Sequence, residues 1–89
     1  MNETFYEFLL DLTIHMAQEI LDHKVSQGDI STWELYELRG ELAILYSLKR
    51  TEWPTLVRFS KKYTLYLLNQ EGTDELFLKS LLYNLKDYE

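Results

Sequence analysis

The sequence predicts an all-α protein, a compact antiparallel four-helix bundle with short connections. No segment alternates apolar and polar residues with period two, whereas four stretches repeat apolar residues three and four apart. The three glycines and the single proline fall at stretch boundaries, Gly40 excepted. Eighty-nine residues, 46% hydrophobic and 15% aromatic, make one domain, 1–89, with a core of its own. The helices are expected at about 4–25, 31–49, 52–70 and 73–87.

The first helix opens on Thr4 and Glu7, spaced as a capping box in which each side chain bonds the other residue's free backbone N–H. Its apolar arc holds Phe5, Tyr6, Leu9, Leu10, Leu12, Met16, Ala17, Ile20 and Leu21. That arc is wider than one partner needs, so two neighbours are expected. Lys24 in the last turn suits the helix dipole, and Gly28 supplies the backbone freedom for a stop.

The second helix carries a capping box at Ser31 and Glu34, flanked by Ile30 and Leu35 where a hydrophobic staple belongs. At 100° per residue it shows two apolar faces. Leu35, Leu38, Leu42, Leu45 and Tyr46 form one; Trp33, Tyr36, Gly40, Ala43, Ile44 and Ser47 form the other. Glu34, Glu37 and Glu41 share a strip between them, with Arg39 opposite. A helix buried on both faces is the expected centre of the bundle. Gly40, costing about 1 kcal/mol relative to Ala in a helix interior, is expected at a close helix crossing.

The third helix starts near Thr51, with Pro54 early enough to cost no intrahelical bond. Leu56, Phe59, Tyr63, Tyr66 and Leu67 form its core stripe, with Trp53 and Val57 at the margin. Arg58, Lys61, Lys62 and Leu65 take the outer side, and Gly72 ends the segment. Thr73 is the expected N-cap of the fourth helix, which turns Phe77, Leu78, Leu81, Leu82, Leu85 and Tyr88 inward. Leu76 and Tyr83 fall on its polar side.

Charge and composition narrow the function. A net charge of −6 works against general affinity for phosphate backbones. The charge is uneven: Glu3, Glu7, Asp11, Glu19 and Asp22 open the chain without a base, while Lys49, Arg50, Arg58, Lys61 and Lys62 cluster in 49–62. Without cysteine there is no disulfide, thiolate ligand or thiol nucleophile. No apolar run approaches the ~18 residues of a membrane span, and a cytoplasmic, membrane-free protein is expected.

Phosphate-loop, dinucleotide and HExxH motifs are absent. Asp11, His15, Glu19 and Asp22 align on one helical stripe, and His15 with Glu19 spans one turn, as two metal ligands do. A third ligand from another helix is missing from the pattern, so the stripe reads as a solvated face, and no metal, cofactor or catalytic residue is assigned. The basic stripe 49–62, with Tyr63 beside it for stacking, is the alternative: a nucleic-acid-binding module. It lacks the residues that read base edges, and nucleic acid ranks below protein as the partner.

The expectation is a small acidic protein that is not an enzyme and acts by binding another protein, as regulator, inhibitor or adaptor. Its size and class are similar to those of bacterial and phage regulators and inhibitors, a likeness that carries no function. The expected contact residues are apolar side chains on otherwise polar faces and the basic residues around them: Phe8, Arg58, Lys61, Lys62, Leu65, Leu76 and Tyr83. A homodimer through those faces is among the expected states.

Overall fold

The structure is a computed structural model describing residues 1–88. Its order is α1 (Glu3–Ser26), α2 (Thr32–Tyr46), a 3₁₀ turn over Arg50–Glu52, α3 (Trp53–Leu68), α4 (Glu75–Leu85) and a closing 3₁₀ turn over Lys86–Tyr88. Four helices and no strand among the described residues make it all-α, as the periodicity predicts.

The local signals act with small shifts. The cap of α1 is Asn2, whose Oδ1 accepts from the N–H groups of Thr4 at 2.8 Å and Phe5 at 3.2 Å, so Thr4 lies inside the helix. Ser31 caps α2, its Oγ accepting from the Glu34 N–H at 3.1 Å. The reciprocal half of that box is missing, because the Glu34 carboxylate turns instead to Lys24 Nζ at 2.9 Å. Asp74, not Thr73, caps α4 through the Phe77 N–H. Gly28 and Gly72 hold φ of +67° and +80°, the left-handed region in which a glycine meets no Cβ clash.

Side-chain contacts fix the directions. Tyr6 donates to the Leu48 carbonyl at 3.2 Å while Lys24 meets Glu34, so α1 and α2 are antiparallel. Arg50 reaches the Met1 carbonyl at 2.9 Å, Thr64 meets Met16, and Lys24 lies 5.1 Å from the Tyr66 ring; α1 and α3 therefore run parallel. Tyr88 packs near both Phe5 and Trp53, which returns α4 antiparallel to that pair.

The centre of the bundle is α1 with α3, not α2. Of the sixteen apolar residues buried among the described residues, α1 and α3 supply ten, and α2 only Leu38, Leu42 and Leu45. At about 1.5–3 kcal/mol per buried leucine, those three side chains hold α2 against α1. Its other face is open: Trp33 is 77% exposed and Tyr36 65%, with Gly40, Ala43, Ile44 and Ser47 also exposed. Tyr46, expected in the buried stripe, is exposed, and so is Phe77 on α4. A Cβ built on Gly40 meets no atom within 4 Å, so the close crossing expected there is absent.

The small residues that permit close packing sit elsewhere. Thr13 and Ala17 on α1, and Ser60 and Thr64 on α3, are all 0% exposed. Thr64 satisfies its hydroxyl on the Ser60 carbonyl at 2.6 Å, the usual helical back-bond. The Thr13 and Ser60 hydroxyls are buried without a partner. The molecule measures 38 × 29 × 18 Å. It exposes 5960 Å².

Candidate protein-binding surface

The apolar residues singled out in the sequence lie on different sides of the molecule. Phe8 lines a groove of about 330 Å³ between α1 and α4, with Phe5, Phe77 and Leu81. Leu76 and Tyr83 stand out from α4 beside that groove, 79% and 70% exposed, with Lys86 Nζ 5.4 Å from the Tyr83 ring. Serine, asparagine and aspartate interrupt the apolar residues here: Ser80, Asn84 and Asp87 share the groove.

Leu65 and Lys62 lie on the other side, in the wall of a cleft of about 370 Å³ between α1, α2 and α3. Ile20, Leu38 and Tyr66 give it an apolar floor. Its charged groups are paired. Lys62 Nζ binds Glu41 and lies 3.4 Å from Glu37, and Lys24 binds Glu34. Tyr63 donates to Glu41 Oε1 at 2.6 Å. Burial would lower the Lys62 pKa, but the bond and charge of Glu41, then of Glu37, outweigh it and raise it. Lys24 is raised chiefly by its bond to Glu34, whose own pKa that bond lowers. Burial first, then the Glu41 carboxylate, pushes the Tyr63 phenol far above the ordinary tyrosine range.

These pairings change what the basic stripe offers. Lys62 is committed to α2 glutamates, Arg50 to the Met1 carbonyl, and Arg58 lies 5.9 Å from the Phe59 ring. Lys61 is half-buried. On α1, His15 Nε2 stands 3.5 Å from Glu19 Oε1, and no group of three metal-capable side chains forms among the described residues.

One further exposed face is marked by sequence periodicity but assigned there to the core: the outer face of α2. Trp33, Tyr36, Gly40, Ala43, Ile44 and Ser47 recur at helical spacing over four turns without a charge among them. The glutamates along its edge face inward toward Lys24 and Lys62. An isolated exposed aromatic is ordinary, whereas an uncharged strip with two large rings is a candidate contact surface. The signal that locates it is in the sequence, as the second apolar face of α2; among the described residues no other helix covers that face.

The chain matches no protein-family model, no curated protein and no solved structure.

Proposed function

We propose that this protein acts by protein–protein binding, as a regulator, inhibitor or adaptor in the cytoplasm, with the outer face of α2 as its principal contact surface. The observation that carries this reading is the uncharged strip headed by Trp33 and Tyr36, exposed on a chain with net charge −6. Tryptophan and tyrosine are the side chains that most often dominate binding energy, because they bury large areas with few rotatable bonds. Phe8, Leu76 and Tyr83 form a second, more polar candidate region on α1 and α4.

Nucleic acid is the weaker reading. A phosphate contact requires available cations, and Lys62 and Arg50 are engaged within the fold. Catalysis has no favoured place, since the half-buried carboxylates of Glu34 and Glu41 are held in ion pairs.

The test is site-specific photo-crosslinking in cells, with a photoreactive residue at Tyr36 or, as control, at Gln18 on the polar face of α1. The reading predicts discrete protein adducts from position 36 and none from 18. Nucleic-acid adducts, or no difference between the positions, would contradict it.

A further inference from the structure

We propose that the occupant of the α2 strip is a second copy of this chain, its α2 lying antiparallel on the first and crossing it at Gly40. The proposal rests on the strip being a protein-binding surface and adds the partner's identity. The size pattern along the strip is self-complementary. Counting from Gly40, the large residues Trp33 and Tyr36 lie seven and four positions before it, and Ile44, Ala43 and Ser47 lie four, three and seven after. A two-fold axis through an antiparallel pair sets Trp33 against the partner's Ser47, and Tyr36 against the partner's Ile44 and Ala43. A parallel pair would instead stack ring on ring at one end and leave serine against serine at the other. Interfaces of this kind are isologous, each patch being its own complement.

Gly40 occupies the axis with nothing within 4 Å of where its Cβ would stand. In the single chain this glycine has no packing role; at a crossing it lets two helix backbones approach closely. Charge permits the contact. The strip is neutral; the glutamates at one edge bring their own cations, Glu34 with Lys24 and Glu37 and Glu41 with Lys62, and Arg39 at the other edge is exposed to solvent. What remains is the long-range repulsion of two acidic molecules, which salt screens. Area sets the strength. With the two rings exposed as they are, the strip presents on the order of 500–600 Å² per copy, at the lower limit of specific interfaces. A micromolar dimer that strengthens with salt is the expected behaviour.

Two substitutions at one position test it, because position 40 is open in the monomer. Sedimentation equilibrium of the wild type should show mass rising with concentration from 10.7 kDa toward twice that value. Gly40→Leu, at an exposed position whose Cβ would meet nothing within 4 Å, should stay monomeric with an equal or higher melting temperature. Gly40→Cys, in a protein with no cysteine of its own, should oxidise to a linked dimer at concentrations where Gln18→Cys, on the exposed polar face of α1, does not. A wild type that stays monomeric throughout overturns the proposal. So does a dimer that ignores Gly40→Leu and links no faster through position 40 than through 18. Photo-adducts from position 36 to a different protein, with a monomeric wild type, would reject the second copy while leaving protein binding intact. The absence of any adduct would remove both.

Discussion

Tyr63 is 1% exposed, yet its hydroxyl meets a carboxylate, Glu41, whose side chain is only 11% exposed. Burying an acid there is tolerable because three groups share the charge: Glu41, the Tyr63 phenol and Lys62. A hydrogen bond to a charged group contributes about 1.5–3 kcal/mol, so Tyr63→Phe should lower stability by that order at neutral pH in urea unfolding. The pH dependence has a definite sign. In the unfolded chain the phenol ionises near 10.0, whereas in the fold it keeps its proton to higher pH. The unfolded state therefore binds fewer protons above about pH 10, and stability falls as pH rises beyond that point. Lys62 and Lys24, also raised, add to the decline in the same direction above about 10.5. Unfolding measured at pH 9 and 11 should show a smaller alkaline loss in Tyr63→Phe than in wild type. Gly40 gives a second prediction at this scale. With open space around it and a helical backbone, Gly40→Ala should stabilise the monomer by about 0.5–1 kcal/mol, read as a higher urea midpoint at unchanged slope.

At the scale of elements, the parallel pair α1 and α3 carries the fold, and its contact is made by small side chains. Thr13 and Ser60 each bury a hydroxyl with no partner, at a cost of about 1–3 kcal/mol per group. Thr13→Val keeps the shape and removes the hydroxyl, so it should raise stability by on the order of 1 kcal/mol; thermal unfolding reads it directly. Much of the element structure is legible in the sequence. The four periodic stretches, the stops at Gly28 and Gly72 and the wide arc of α1 all describe what forms. The role of α2 is not legible, because two apolar faces on a helix state what it can bury and not what is available to cover it. Counting helices decides the matter, and only the packed structure shows that α1 and α3 use each other. Threonine and serine hid the real crossing: Thr13, Ser60 and Thr64 read as polar, while in a helix contact they serve as small residues.

For the whole molecule, the consequence is an asymmetric slab. One edge is built from α2, whose three leucines hold it and whose ion pairs to Lys24 and Lys62 set its position. Exposed ion pairs are worth about 0–1 kcal/mol each, so the leucines provide the attachment and the charges the register. Of the expected contact residues, Lys62 and Leu65 line the cleft and Phe8 the α1–α4 groove, while Arg58, Lys61, Leu76 and Tyr83 line neither. The α2 strip is legible as a pattern of residues, but its exposure is not, because aromatic residues at helical spacing fit a core face equally well.

Trp33 itself is the most direct reporter of that claim. Trp53 is half-buried near Tyr88, so Trp53→Phe leaves Trp33 as the single indole. Its emission should be that of a water-exposed indole at nanomolar concentration and shift to shorter wavelength as concentration rises into the micromolar range. Gly40→Leu in the same background should suppress the shift. Emission that stays at the water-exposed position across that range, in the wild-type strip, would contradict the covering of α2 by a second copy.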